Sequence, residues 1–457
     1  MRQGYEMRLS ATSRITAGVG GIVAALAAVG AKLMIALLGL WTSVVVCSVL
    51  AGGGDLRCIF VMLRKPIVLL ALAFAAFAAL SGIWSVDAVQ SVKSAGLLVY
   101  AIVTSVALCG ALLSVDTQVA RLIGGWFIVG FILGAIILLS ELLTQFVMFR
   151  TILENVAVVR PPPTSLIYYK GNGAIIVAES IANWSLAFLN MVLWPTLLLA
   201  GALWRGKVWR YMPYLVFAVI FTVTFVSDHQ TSWIAIVVAS VTFLLACQRV
   251  EFMRYVVVAG FVVAVVAVVP LSQLCYHQLE LQNREDLLFN LRARFAIWGY
   301  TADQVHKSPI AGVGADSTKA IQSSINLQKP SKDSNLLAPM LNAHAHNMLL
   351  QTWFELGAIG ASIVLLIGCF GLVNVGGLSR AAQPYALATF VSIFVESIAT
   401  WSIWHAWFSC TLTFGIAWMV FANRVSGDVA DAPDPSFLDI WLPNSLKWRC
   451  LAVRRSS

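Results

Sequence analysis

Apolar residues run in long blocks along this chain, and polar residues collect in short stretches between them. Many blocks exceed about 18 residues, the length that crosses a hydrocarbon core of about 30 Å as a helix. Because backbone polar groups must be satisfied within lipid, each block predicts a helix. We predict about twelve spans. They cover residues 15–31, 33–51, 66–84, 94–113, 122–149, 174–202, 211–227, 231–247, 255–271, 346–374, 382–400 and 404–422.

The fold class that follows is an all-α polytopic membrane protein with a large, partly helical loop before the tenth helix. The composition agrees, since 60% of residues are hydrophobic and 11% are charged, against about 25% charged in soluble domains. The first apolar run precedes further spans, so it predicts an anchor and not a cleaved signal peptide. Whether the first two spans form a hairpin or one broken helix is left open. We predict a transmembrane domain over 1–425 and a cytoplasmic tail over 426–457.

The net charge of +9 is distributed mainly on one side of the predicted membrane. In a soluble protein it would suggest nucleic acid, but here no nucleic-acid partner is predicted, because basic residues next to spans set topology. Loops on the side of the N-terminus hold most of them, whereas the opposite short loops hold little beyond Lys32 and Lys93. Both termini are therefore predicted to be cytoplasmic. The basic loop residues are Arg57, Arg64, Lys65, Arg121, Arg205, Lys207, Arg210, Arg249, Arg254 and Arg380.

Two segments on the predicted outer side, 150–173 and 272–345, are too long to be simple turns. Long loops in compact proteins are usually functional. Within the second, residues 283–305 predict an amphipathic helix, because apolar residues recur at helical spacing. The sequence SPIAGVGADS at 308–317 then ends it with proline and glycine. The recurring apolar residues are Leu287, Leu291, Phe295 and Trp298.

All six histidines fall on or beside the predicted outer face. An unperturbed imidazole has a pKa of about 6.5 and can accept a proton near neutral pH. The placement therefore indicates proton transfer at the outer face. The alternative is that histidine simply favours interfaces and polar turns. The six are His229, His277, His306, His344, His346 and His405.

Three arginines in the outer segments are candidates for binding phosphate, namely Arg160, Arg292 and Arg294. A guanidinium holds a phosphate through paired donors and stays charged at any working pH. Fixed arginines beside a histidine at a membrane border suit a lipid-linked phosphate substrate. The alternative is that Arg292 and Arg294 extend from an amphipathic helix to lipid headgroups.

Carboxylates inside the spans are few, and such groups are functional candidates by default. They are Glu141, Glu179, Glu355 and Glu396. They could form a proton relay, which suits a transporter, or they could pair with arginine or cap helices, which we favour for Glu355. No zinc-type spacing, P-loop or dinucleotide-binding glycine pattern is present, so neither a metal nor a cofactor is predicted.

Two motifs resemble the bacterial O-antigen ligase and polymerase family. His346-Asn347 is followed by nine residues and then Gly357-x-x-Gly360. Upstream, Arg294 precedes Trp298 by four residues, and Pro309-x-x-Gly312-x-Gly314 follows. The span number and the large outer loop before a late span also agree with the family. In a membrane helix, glycines at such spacing also allow close helix packing, which is our interpretation of Gly357.

The resemblance implies a metal-independent glycosyltransferase of the bacterial inner membrane with a periplasmic site. Its donor would be an undecaprenyl-diphosphate-linked glycan and its acceptor the lipid A–core of lipopolysaccharide, with membrane lipids around it. Carried over, His346 is the general base and Arg294 binds the diphosphate, with Arg160 as a second basic contact. The candidate substrate-binding set is completed by Arg292, Lys170, Asn347 and His344.

The chain departs from the family pattern at two places. Ser232-Trp233 stands where the family often has Ser-Arg, and Lys170 in YYKGNG stands where an arginine is common. Lysine binds phosphate as a point charge and not as a fork. Two further functions remain open. One is a polymerase joining O-antigen or exopolysaccharide repeat units, and the other is a lipid-linked glycan flippase.

Overall fold

The computed structural model describes residues 10–155, 167–169, 175–204, 209–326 and 344–427. They are mostly helical, so the all-α polytopic membrane fold is confirmed. One antiparallel hairpin pairs β1 (Ile167–Tyr169) with β2 (Ile175–Val177). The helices are α1 (Ala11–Val29), α2 (Met34–Ala51), α3 (Arg57–Leu63), α4 (Pro66–Leu80), α5 (Ala88–Ser114), α6 (Thr117–Leu143), α7 (Val147–Asn155), α8 (Asn183–Leu203), α9 (Met212–Val226), α10 (Gln230–Gln248), α11 (Val250–Gln273), α12 (Phe289–Val305), α13 (Thr318–Asn326), α14 (Met348–Asn374), α15 (Gln383–Ala399) and α16 (Ala406–Gly427).

Eleven helical segments among the described residues are long and apolar enough to cross a membrane. The eleventh predicted span, 382–400, corresponds to α15, whose 17 residues lie at the short end of the range for a span. The first two predicted spans are separate segments, Ala11–Val29 and Ala31–Ala51. The chain leaves the helical conformation between them at Gly30, with φ −143° and ψ 70°.

The centre of the helix bundle is α8, in which residues 185–200 are all buried. A helix that is apolar on every side is expected at such a position. An aromatic cluster beside it joins three other helices. The Phe127 ring of α6 lies 4.1 Å from Trp418 of α16 and 5.6 Å from Trp41 of α2, measured between centroids. The core therefore ties early helices to the last one.

Helix α14 is interrupted at Gly357, where φ is 61° and ψ is −160°. The loop at 308–317 fills the interruption. The Ala358 N–H donates to the Pro309 carbonyl at 2.8 Å, and the Gly314 N–H donates to the Glu355 carbonyl at 2.8 Å. Backbone groups released by the break are thus satisfied by protein, as an apolar environment requires.

The buried Glu355 carboxylate joins the same loop to α14. It accepts hydrogen bonds from the backbone N–H groups of Asp316 at 3.0 Å and Thr318 at 3.2 Å. It also accepts from the side chains of Gln351 and Trp404. Since Thr318 begins α13, Glu355 caps that helix, which is the alternative that the sequence favoured. The loop, α13, α14 and the turn before α16 are therefore held as one unit.

The amphipathic helix predicted over 283–305 begins later than expected. The structure places α12 at Phe289–Val305, preceded by a short 3-10 turn at Leu281–Asn283. Leu288 just before it is extended, with φ −57° and ψ 139°, so Leu287 precedes the helix. Residues 428–457 lie outside the described part of the chain, and the division into 1–425 and 426–457 stays a prediction.

Candidate functional site

Three histidine side chains meet where α14 and α16 begin. The His344 ring centroid lies 4.0 Å from that of His346 and 5.0 Å from that of His405. His344 and His346 precede α14, and His405 directly precedes α16. Histidines that are about sixty residues apart in sequence thus form one cluster at the ends of two membrane helices.

His346 adopts a left-handed backbone conformation with φ of 50°. Its N–H donates to the His344 Nδ1 atom at 3.1 Å, and the His346 ring has a hydrogen bond with the backbone of Thr400. A non-glycine residue in this region costs about 1–2 kcal/mol. Such strain persists where the surroundings fix the residue, and it concentrates at functional sites.

Asn347 caps α14. Its side-chain Oδ1 accepts a hydrogen bond from the Leu350 N–H at 3.1 Å, which satisfies one of the free donors at a helix start. The side chain is largely buried. The cap fixes where α14 begins, and so fixes the position of His346 one residue before it.

Arg294 of α12 interacts electrostatically with this cluster. Its side chain is partly buried, and its positive charge acts on both His229 and His346. Burial lowers the pKa of the Arg294 guanidinium, and the Glu396 carboxylate opposes that shift. The two residues that the sequence assigned to the chemistry, Arg294 and His346, thus interact electrostatically.

Arg292 has a different environment from Arg294. Residues two positions apart in an α-helix are rotated by about 200° around its axis. The side chains of Arg292 and Arg294 therefore leave α12 on opposite faces. The Arg292 Nε atom donates to the Gln282 carbonyl at 3.0 Å. This contact ties α12 to the turn that precedes it.

A chain of hydrogen bonds that the sequence did not predict joins His229 to Glu396. The His229 Nδ1 atom is 2.7 Å from the Ser232 hydroxyl, which donates to the Glu396 Oε1 atom at 2.6 Å. The indole N–H of Trp401 donates to the other Glu396 oxygen at 3.2 Å. His229, Ser232 and Glu396 were each visible as polar residues near span ends. Their association was not, because 164 residues separate Ser232 from Glu396.

Burial keeps the histidines of this region neutral. It lowers the pKa of His346 to about 4, with the charge of Arg294 as the next cause. It also lowers the pKa of His344 to about 2 and that of His229 to about 3. The pKa of His405 is lowered for the same reason. At neutral pH the site therefore offers uncharged imidazoles, which accept protons, next to a fixed cation.

The other candidate residues lie elsewhere or outside the described ranges. Arg160 and Lys170 are outside the described residues. His277 pairs with Asp303 at 2.9 Å, and His306 is exposed after the end of α12. Within the part of the chain that the structure describes, no three His, Cys, Asp or Glu side chains are grouped as metal ligands.

Comparison with known proteins identifies a family match over part of the chain. Residues 215–365 match the family model described as O-antigen ligase. The match runs from α9 into α14 and includes Arg294, His346 and Gly357. The resemblance inferred from the sequence is confirmed.

Similar curated proteins carry the printed name "Putative polysaccharide ligase". One from Rickettsia conorii is 24% identical over 252 residues, which are 53% of this chain and 59% of the relative. One from Rickettsia typhi is 22% identical over 228 residues, which are 48% of this chain and 53% of the relative. The matches thus span little more than half the length of each of these relatives.

Proposed function

We propose that this chain, whose residues 215–365 match the family model described as O-antigen ligase, is a membrane glycosyltransferase of the ligase type. It would transfer a glycan from undecaprenyl diphosphate to the lipid A–core of lipopolysaccharide. The observation that carries the proposal is the electrostatic interaction of Arg294 with His346. The charge of Arg294 acts on an imidazole that burial keeps neutral. A cation and a proton acceptor are the two groups that this transfer requires.

The reaction forms one bond and breaks one bond at the anomeric carbon of the donor glycan. An acceptor hydroxyl attacks that carbon, and the bond from the carbon to the diphosphate oxygen breaks. His346 takes the proton of the attacking hydroxyl as general base. Arg294 stabilises the negative charge that develops on the departing diphosphate. In a partly buried site this attraction is stronger than in water.

The remaining candidate residues have supporting parts in this proposal. Arg160 and Lys170 belong to the first outer segment and would supply further positive charge to the diphosphate. His344 supports the backbone of His346 through its Nδ1 atom, and Asn347 fixes the start of α14. We assign Arg292 to the boundary of the binding site, because one of its donors is bound to the Gln282 carbonyl.

We place the protein in the inner membrane of a bacterium, with the site at the periplasmic face and both termini in the cytoplasm. The support is the excess of lysine and arginine in loops on the side of the N-terminus, which marks the cytoplasmic side. A site at a span end lies at the depth where the diphosphate of a membrane-anchored lipid meets water. The lipid tail would remain among membrane lipids.

The experiment that tests this function compares lipopolysaccharide from a deletion strain and from strains complemented with variants. We expect loss of long glycan chains from lipopolysaccharide while lipid-linked polymer is retained. Complementation with wild type or His306→Ala should restore the chains, and complementation with Arg294→Ala should not. His306 is the matched control because it is an exposed histidine of the same outer segment.

Other results of the deletion would point to other functions. Core lipopolysaccharide carrying a single repeat unit means that the protein is a polymerase of repeat units. Retention of lipid-linked glycan on the cytoplasmic side means a flippase. Unchanged lipopolysaccharide in the deletion strain would contradict the ligase assignment. Two of the intramembrane acids argue against transport, since Glu355 and Glu141 each bind backbone N–H groups at a helix start.

A further inference from the structure

The hydrogen bonds around Ser232 fix the tautomer of His229. A serine hydroxyl carries one proton, which Ser232 donates to Glu396 when that carboxylate is ionised. Ser232 must therefore accept the hydrogen bond from His229, whose Nδ1 atom lies 2.7 Å away. The proton of the neutral imidazole is then on Nδ1, and the Nε2 atom carries a lone pair.

The Nε2 atom of His229 is buried and has no hydrogen-bond partner among the described residues. The residue as a whole is 6% exposed. A buried polar atom without a partner is costly, so each such atom in a folded protein needs an explanation. At His229 this cost has a structural cause. The hydrogen bonds with Ser232 and Glu396 keep the ring proton on Nδ1 and leave Nε2 as the acceptor.

His229 belongs to the same region as the proposed base. The charge of Arg294 acts on both His229 and His346. The Trp401 ring lies 6.1 Å from His229 and 6.3 Å from His405, between centroids. Trp401 thus contacts both His229 and a member of the histidine cluster.

We propose that His229 is a second substrate-contacting residue, whose Nε2 atom accepts a hydrogen bond from a sugar hydroxyl, with Ser232 and Glu396 as positioning residues. This inference rests on the proposed function. The Nε2 lone pair of His229 accepts a hydrogen bond from a sugar hydroxyl but not from the diphosphate. Ionised phosphate oxygens are themselves acceptors, and two acceptors do not form a hydrogen bond. His229 therefore binds the glycan while Arg294 binds the diphosphate.

The competing explanation is that the network only ties α10 to α15. A second bond already makes that connection, since the hydroxyls of Thr231 and Thr400 are 2.7 Å apart. Two substitutions of His229 separate the explanations. In His229→Asn the amide overlays the Nδ1 position and can still donate to Ser232, but no acceptor remains at the Nε2 position. In His229→Gln the amide overlays the Nε2 position, so the acceptor remains and the bond to Ser232 is lost.

The measurement is kcat/KM for transfer from a purified undecaprenyl-diphosphate-linked glycan to purified lipid A–core, with folded protein quantified by size exclusion. We expect His229→Asn to lose roughly tenfold to a hundredfold, the usual effect of removing one buried hydrogen bond. His229→Gln should stay within about threefold of wild type. A larger loss for His229→Gln than for His229→Asn would show that the network only connects α10 to α15, and would overturn the proposal. Equal losses, or no loss in either variant, would overturn it as well.

The positioning role of Ser232 has its own readout. Ser232→Ala should raise KM for the glycan donor in the wild-type background and have little effect in His229→Asn, because the oriented atom is already gone. Equal effects in both backgrounds contradict positioning through His229. An inactive, well-folded wild type in this assay would instead refute the proposed function. An active wild type with a fully active His229→Asn refutes only the role of His229.

Discussion

Gly312 lies so close to Glu355 that a Cβ atom on Gly312 would stand 2.2 Å from the Glu355 carbonyl carbon. The two family motifs, Pro309-x-x-Gly312-x-Gly314 and the segment from His346 to Gly360, are therefore the two halves of one contact. Gly312 has a φ of +67° and Gly357 a φ of +61°, and L side chains rarely adopt either value.

Substitution of Gly357 should reduce folding and not chemistry alone. In Gly357→Ala the new Cβ would lie 2.4 Å from the Ile310 backbone, and the left-handed conformation costs about 1–2 kcal/mol in addition. We expect a clear fall in the monodisperse fraction on size exclusion. The control is Gly260→Ala in α11, where nothing lies within 4 Å of the added atom. Equal yields for the two variants would contradict the contact.

This contact shows what the sequence could not provide. Apolar runs predicted the spans because the thickness of the bilayer sets the length of a membrane helix. Its backbone hydrogen bonds also form within the same segment. Gly357 was interpreted as a site of close helix packing, and that reason is wrong. The structure makes it an interruption of α14 filled by the loop at 308–317. A glycine in an apolar run does not reveal whether its φ is positive or negative. The interruption of α14 at Gly357 was therefore not predictable from the sequence.

Arg294→Lys should impair transfer nearly as much as Arg294→Ala. Lysine keeps the charge but loses the paired donors that match a diphosphate. Loss of one such stabilising group typically costs about 10²–10³ in kcat. The control is Arg284→Lys, because Arg284 pairs with Asp286 in an exposed turn. Transfer by Arg294→Lys at near wild-type rates would instead favour headgroup contact for Arg294.

The pH profile should report the interaction between Arg294 and His346. A protonated His346 cannot act as base, so kcat/KM should fall as the pH drops through its free-enzyme pKa of about 4. Since the charge of Arg294 lowers that pKa, Arg294→Gln should move the acid limb to higher pH. His344 and His405 lie beside the ring, and burial remains the larger cause, so the shift should be partial. An unchanged or lower limb would contradict the interaction.

The predicted topology can be tested with single cysteines in a variant whose eight native cysteines are replaced. Lys307→Cys, in the exposed end of the outer segment, should react with an impermeant maleimide on intact spheroplasts. Arg57→Cys, whose side chain is 90% exposed in a basic loop, should react only after lysis. The reverse labelling pattern would show that the protein has the opposite orientation in the membrane.

The candidate site was predictable only in part. His346 and Arg294 could be identified because each lies in a local motif with a fixed spacing. The network of His229, Ser232 and Glu396 was not, since its bonds join α10 to α15 across the fold. Arg292 and Arg294 were both candidates for binding phosphate, and the motif with Trp298 favoured Arg294. The structure distinguishes them, because the charge of Arg294 acts on His346 and Arg292 donates to the Gln282 carbonyl.

The central claim is that His346 is the base, and the most direct test is transfer by His346→Ala from a lipid-linked donor to purified acceptor. General-base catalysis is typically worth about 10²–10⁴-fold. We expect a loss of that size with folded yield and donor binding retained, a milder loss for His344→Ala and none for His306→Ala. A His346→Ala protein within about threefold of wild type would contradict the claim, since it would lack even the smallest effect expected of a base.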